Sequence, residues 1–381
     1  MVKRHFWLNR IEKAWTQRNV VWLSGVRRIG KTFLCKSIPE AEYFDCELPR
    51  VRAMMDDPES FLGSLQGRGI VLDEIHRLEH PSQLLKIAAD HFPKTKVIAT
   101  GSSTLGASAK FKDTLAGRKA EIWLTPVMSA DLQDFHRTNL RHRFLHGGLQ
   151  PFFLASDFPE ADVQEWMDAF WAKDIQELFR LGRRHSFQKF IELLMTQSGG
   201  IFEATRFARP CEVSRTSILN YLKILEATFI VYVLRPFSSR RATEIIAAPK
   251  VYGFDTGFIC YYKGWHELRT EDMGTLWEHF VLNELYAHLQ SREIRYWRDK
   301  RGHEVDFVLP RRGKPPIAIE AKWSTKDLDP ANLQAFWRQY PKAEFFVVSH
   351  DVDRAYTKPL DHMSVRLVSL SALVESLTLK R

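Results

Sequence analysis

The sequence predicts an α/β fold, with a parallel sheet at the N-terminal end, a helix-rich middle and a second α/β region at the C-terminal end. Three observations carry this expectation. Short apolar runs alternate with helical patterns through residues 1 to about 125. A glycine-rich loop joins the first of these runs to a helix. Near the other end, two neighbouring segments alternate polar and apolar residues with the period of a strand.

Asn19–Leu23 reads as a buried strand, and Thr32-Phe33-Leu34-Cys35-Lys36 as the helix that follows. Between them Gly25-Val26-Arg27-Arg28-Ile29-Gly30-Lys31-Thr32 fits G-x-x-x-x-G-K-[ST] at every fixed position. In that strand–loop–helix setting the pattern reads as a P-loop. Gly25, Arg28 and Gly30 would bring backbone N–H groups to a nucleotide's phosphates, helped by the helix N-terminus. Lys31 would reach the β- and γ-phosphates, and Thr32 would offer a hydroxyl to Mg²⁺.

Further strands are expected at Ala41–Cys46, Gly69–Leu72, Lys96–Thr100 and Glu121–Leu124. The second of these runs into Asp73-Glu74, acids at the carboxyl end of a buried parallel strand. Asp73 would hold the Mg²⁺ shell, and Glu74 would orient and deprotonate the attacking water. ATP and Mg²⁺ are therefore the expected ligands. The Lys96–Thr100 strand leads into Gly101-Ser102-Ser103, where Ser102 is placed to touch the γ-phosphate or the water. Val127 to Leu181 is helix-rich and is expected to form a lid, with Trp166 and Trp171 as core residues.

Lys and Arg total 55 against 46 Asp and Glu, a formal charge of +9. Residues 180–250 hold twelve basic and five acidic residues, so +7 of that excess lies there. Such a concentration favours a polyanionic partner, and DNA is the obvious one. Within it, helical patterns at Phe187–Thr196, Phe202–Ala208 and Arg215–Glu226 precede a β-rich run, Thr228–Leu234, and a basic tip at Arg240-Arg241. Three helices, a strand and a basic loop follow the order of a winged helix-turn-helix. Arg215 and Thr216 would then face a groove, and Arg240 and Arg241 would sit on phosphates. Winged helices also serve as protein-contact modules, and the residues alone leave that reading open.

Glu304-Val305-Asp306-Phe307-Val308-Leu309 and Ile317-Ala318-Ile319-Glu320-Ala321-Lys322 each alternate as strands. Glu304 and Asp306 must share one face, as must Glu320 and Lys322. Asp306 followed by Glu320-x-Lys322 resembles the PD-(D/E)XK nuclease core, with Glu278 of the helix at Thr275–Leu289 as an additional carboxylate. Either the carboxylates bind a catalytic metal and Lys322 positions the nucleophile, or the fold is retained as a binding platform without cleavage.

Taken in order, Gly25 to Thr32, Asp73-Glu74-Ile75, Thr100-Gly101-Ser102-Ser103 and Leu115-Ala116-Gly117-Arg118 are similar to the AAA-type ATPases that carry a DUF4143 C-terminal region. Asp174-Ile175, Phe254-Asp255-Thr256-Gly257, Trp277-Glu278 and Tyr296-Trp297-Arg298 extend the resemblance over nearly the whole chain. Val26 stands where that family usually has Pro, and the Gly147-Gly148 segment continues with its Pro displaced to Pro151. The resemblance implies a P-loop ATPase core at 1–125, a helical lid at 126–181, a winged helix at 182–246 and an α/β nuclease-like domain at 247–381. It also places Arg118 in an L-A-G-R motif. There the arginine either reaches a neighbouring subunit's γ-phosphate in a homo-oligomer or pairs with a carboxylate of its own chain.

Composition excludes several classes. No apolar run approaches the length of a membrane span. The start leads into no signal-peptide core, so a cytoplasmic protein is expected. Cys35, Cys46, Cys211 and Cys260 are scattered, with neither disulfide nor zinc spacing. The function read from the residues is Mg²⁺-dependent ATP hydrolysis coupled to DNA binding, remodelling, branch migration or ATP-licensed cleavage. The alternative is an ATP-controlled signalling or assembly switch whose C-terminal domain docks a protein.

Overall fold

The structure is a computed structural model that describes residues 2–101, 109–158, 160–176, 179, 181–238 and 248–379. Ser102, Arg240 and Arg241 lie outside the described residues.

The chain divides into two compact units. The first comprises residues 1–139, 148–182 and 227–230. Its five strands are β1 (Val20–Ser24), β2 (Ala41–Asp45), β3 (Gly69–Asp73), β4 (Lys96–Thr100) and β5 (Lys119–Trp123). They pair in parallel in the order β2-β3-β4-β1-β5. β1 is buried at every position, and β3 and β4 at all but their first residues. Strands covered on both faces need continuous apolar runs, which is why Val20–Leu23 and Ile70–Leu72 show no alternation. Trp22, fully buried, packs on Phe111 with ring centroids 4.7 Å apart.

The strand order places β4 between β1, which enters the glycine-rich loop, and β3, which ends in Asp73. Ligands of open parallel sheets bind beyond the carboxyl ends of the strands, so the ends of these three strands define the site. The expected lid residues form short helices at Ser129–Asp134, Gln150–Leu154 and Glu160–Ala169, the last continuing as a π-helical turn over Phe170–Gln176. The helix Leu140–His146 from the same stretch belongs to the second unit.

The second unit comprises residues 140–147, 183–226 and 231–381. It is built on a nine-stranded sheet in the order β13-β14-β12-β11-β10-β9-β7-β8-β6. These are β6 (Gly200–Ile201), β7 (Val231–Pro236), β8 (Lys250–Gly253), β9 (Arg295–Arg298), β10 (Glu304–Arg311), β11 (Lys314–Lys322), β12 (Glu344–Ser349), β13 (Tyr356–Leu360) and β14 (Met363–Val368). Residues 182–246 and 247–381 therefore do not separate into two compact bodies. β7 pairs antiparallel with β8, and also parallel with β9 through Arg235↔Arg295 and Pro236↔Tyr296, so one ladder runs across the expected joint at Ala247-Ala248-Pro249. Helices Arg184–Thr196, Ala204–Ala208 and Arg215–Ala227 precede β7. The long helix Asp272–Leu289 is buried along most of its length, and Trp277 Nε1 donates to the Val348 carbonyl (3.2 Å).

Candidate active site

The glycine-rich loop closes through backbone conformations that its residues were chosen for. Gly25 has φ +145° and Gly30 +99°. A Cβ on Gly25 would stand 2.6 Å from the Leu124 carbonyl oxygen, and one on Gly30 2.5 Å from Gln150 Oε1. The positive φ favours glycine at both, and at Gly25 the backbone atom it would meet requires it for space as well. Arg28 is also left-handed, at φ 61°.

Lys31 opens the helix Lys31–Lys36 and folds back over the loop, donating to the carbonyls of Gly25 (3.0 Å) and Val26 (3.2 Å). Burial lowers its pKa, against the opposing pull of Glu74 and Asp174. Beside it, the Thr32 hydroxyl donates to Asp73 Oδ2 (2.8 Å). Asp73, 3% exposed, also accepts from the Tyr43 hydroxyl (2.5 Å) and from the Thr100 hydroxyl. Burial and the bond to Asp73 push the Tyr43 phenol up, which keeps it a donor. Thr100 in turn accepts from the Glu74 backbone N–H (3.1 Å). Thr100, at the end of β4, is thus a polar group of this site, while the expected Ser102 lies outside the described residues. Sequence reasoning passed over Thr100 because only strand order brings it beside Asp73.

Glu74 has φ 54° and ψ 43°, a left-handed backbone on a non-glycine residue just past a buried strand. Such strain collects at functional positions. Its carboxylate meets His76 Nδ1 at 3.1 Å. Burial alone would raise its pKa, but His76 and the Lys31 charge together hold it below the usual glutamate value. Glu74 is thus ionised at neutral pH, the form a proton acceptor needs.

Gly25, Lys31, Thr32, Glu74, Gln150 and Asp174 line a cavity of about 670 Å³ within the first unit. Its outer wall is tied to the loop by contacts that no local pattern announces. Arg27 Nε donates to Asp174 Oδ2 (2.8 Å), and the Arg27 carbonyl accepts from Trp166 Nε1 (3.1 Å). The Arg28 guanidinium pairs with Glu165. Behind the loop, Arg4 and Asp131 form a two-bonded buried pair (2.8 and 2.5 Å), and Arg4 also reaches the Ile29 carbonyl (3.3 Å). Asp174 was visible in the sequence only as part of the family resemblance, and Trp166 only as a core residue.

The residues fit a magnesium nucleotide. The hydroxyl of Thr32 and the carboxylate of Asp73 stand together, and a lysine faces the same cavity. Arg118 takes the second of its two expected placements: its Nε donates to Asp90 Oδ1 (2.8 Å) of the same chain.

A second constellation lies in the second unit. Lys322 Nζ is 2.8 Å from Glu320 Oε1 and 3.9 Å from Asp306 Oδ2. The Ala321 N–H donates to Asp306 Oδ2 (2.8 Å). Glu278 joins through Tyr252 and Lys250, described below. The strand alternation thus brings Asp306, Glu320 and Lys322 together. Among the described residues, no three His, Cys, Asp or Glu groups are grouped so as to hold a metal ion. Arg215 and Thr216 are exposed at the start of their helix, whose first turn is capped by Ser214 Oγ accepting from the Ser217 N–H (3.1 Å). All four cysteines are buried and free. No described helix is long and apolar enough to cross a membrane.

Comparison with known proteins agrees with this geometry. Residues 17–132 match the family model of an AAA domain, AAA_14. Residues 137–269 and 273–371 match two domains of unknown function, DUF8612 and DUF4143. The chain thus carries an AAA domain of the AAA_14 family at its N-terminal end and a DUF4143 region at its C-terminal end. It is 27% identical over 328 residues to the uncharacterized protein Rv2008c of Mycobacterium tuberculosis, covering 83% of this chain and 73% of that one. It is 21% identical over 354 residues to the uncharacterized protein MJ1544 of Methanocaldococcus jannaschii, covering 84% and 77%. Among solved structures, the Walker-type ATPase PABY2304 of Pyrococcus abyssi aligns with 69% of this chain and 96% of its own. That alignment has 14% identity and a TM-score of 0.45.

Proposed function

We propose that the chain couples ATP hydrolysis in its first unit to DNA binding by residues 184–253. The observation that carries the hydrolytic half is the meeting of Thr32, Asp73 and Thr100 beside Lys31 and Glu74. Lys31 is the charge that neutralises the β- and γ-phosphates, and an arriving phosphate offsets the burial that weakens its hold on a proton. Thr32 and Asp73 would hold Mg²⁺, which when bound supplies Lewis-acid neutralisation of the phosphate oxygens. Thr100 keeps Asp73 and the Glu74 backbone in register. Glu74 orients the attacking water and accepts its proton. Arg118 serves a neighbouring copy in a homo-oligomer once its pair with Asp90 is released.

The DNA half rests on the order of three helices and the β6-β8-β7 ladder, which follows that of a winged helix. It rests also on the exposure of Arg215 and Thr216 and on the local basic excess. Arg215 and Thr216 face a groove in this reading, with Arg240 and Arg241 on phosphates.

The test is ATPase rate titrated against single-stranded, duplex and branched DNA, for the wild type and Arg215→Ala. Stimulation that weakens with salt and is lost in the variant is expected. Slow turnover indifferent to every DNA would sink the DNA half and favour an ATP-controlled switch that docks a protein.

A further inference from the structure

The carboxylates of the second unit are accompanied by a lysine that the nuclease-like pattern does not contain. Lys250, at the start of β8, is 3% exposed. Its Nζ lies 3.2 Å from Glu278 Oε1 and 2.5 Å from Glu304 Oε1. Tyr252, two residues along the same strand, donates to the same oxygen of Glu278 (2.5 Å). The other oxygen of Glu304 accepts from Arg298 Nη1 (3.3 Å). Beside them, Lys322 bridges Glu320 and Asp306. Each of the carboxylates Glu278, Glu304, Asp306 and Glu320 thus has a protein cation within 4.0 Å.

One atom argues for a metal. Glu320 Oε2 is buried without a hydrogen bond. The cations already in place argue against one: Lys250, Lys322 and Arg298 stand among the carboxylates Glu278, Glu304, Asp306 and Glu320. A divalent ion entering this cluster would meet the buried ammonium of Lys250 and the partly buried one of Lys322, and repulsion at that range in a poorly screened site is severe.

We propose that Lys250 is a built-in substitute for a divalent cation. The cluster is a metal-free ionic lock that ties β8 to the helix Asp272–Leu289 and to β10, and it does not cut nucleic acid. A buried lysine bridging Glu278 and Glu304 supplies what a metal would supply to a working cleavage site, namely positive charge between carboxylates, but offers no activated water.

The experiment uses the full chain without nucleotide, with Mn²⁺ uptake followed by electron paramagnetic resonance and cutting of a DNA duplex scored in parallel. Wild type and Asp306→Asn should take up Mn²⁺ equally, and neither should cut. Lys250→Met should gain about one ion per chain, bound roughly tenfold or more tighter than any in the wild type, since the ammonium that repels it is gone. Lys250→Arg keeps the charge and should gain none. An ion bound by the wild type and lost in Asp306→Asn would overturn the proposal, as would metal-dependent cutting that needs Asp306. So would a folded Lys250→Met chain that gains no ion. Should Lys250→Met fail to fold, the comparison of wild type with Asp306→Asn decides alone.

Discussion

Replacing Gly25 by alanine tests whether the phosphate cradle is held by backbone conformation. At φ +145° the residue occupies a region that side-chain-bearing residues avoid at a cost of about 1–3 kcal/mol. The new Cβ would also meet the Leu124 carbonyl oxygen at 2.6 Å, far inside ordinary contact. Leu124 cannot retreat freely, because its N–H donates to the Ser24 carbonyl at 2.8 Å. Weakening that bond adds about 1 kcal/mol. The sum is a destabilisation of roughly 2–4 kcal/mol. Gly67→Ala is the control: its φ is +80° but nothing lies within 4 Å of the added atom. It should cost only the left-handed strain, about 1–2 kcal/mol. Both changes remove the same unfolded-state freedom of glycine, so that contribution cancels. Urea unfolding of the first unit, followed by tryptophan fluorescence, reads the difference. Binding of a fluorescent ATP analogue gives a second readout, since Lys31 hangs on the Gly25 carbonyl and should move with it. Equal losses in the two variants would refute the steric argument. Unchanged nucleotide affinity in Gly25→Ala would refute the role given to the loop.

Lys31→Ala should abolish tight nucleotide binding, whereas Glu74→Gln should bind ATP and fail to turn it over; wild-type hydrolysis by Glu74→Gln would remove Glu74 as the base. Asp131→Ala strands the buried Arg4 and should cost about 3–5 kcal/mol in thermal or urea unfolding, so a loss below about 1 kcal/mol would mean the pair is not a brace. For His279, burial is the main cause of a pKa below the ordinary histidine value, with Nδ1 on the Thr275 carbonyl and Nε2 facing the Ser198 hydroxyl. The unfolded chain therefore takes up a proton as pH falls through about 6.5 while the folded chain stays neutral, so stability is present above that pH and declines below it. The decline should approach at most about 1.4 kcal/mol per pH unit and shrink in His279→Gln; an identical pH profile in the two proteins would contradict it.

What the sequence determined by itself is what local chemistry determines. The loop from Gly25 to Thr32 was legible because phosphate cradling needs those residue types at consecutive positions. Asp73-Glu74 was legible because acids at the end of an apolar run are conspicuous. Asp306, Glu320 and Lys322 were legible because a strand turns side chains over with a period of two. None of these inferences required knowing which strand lies beside which. The tertiary structure decided everything that depends on neighbours distant in the chain. Insertion of β4 between β1 and β3 put Thr100 on Asp73. Packing across 147 positions put Asp174 on Arg27, and across 127 positions put Asp131 on Arg4. Arg118 turned to Asp90, and Lys250 was delivered between Glu278 and Glu304 by a ladder that joins β8 to the C-terminal strands. Burying an ammonium there is costly unless its partners are already in place, and only a completed sheet assembles them.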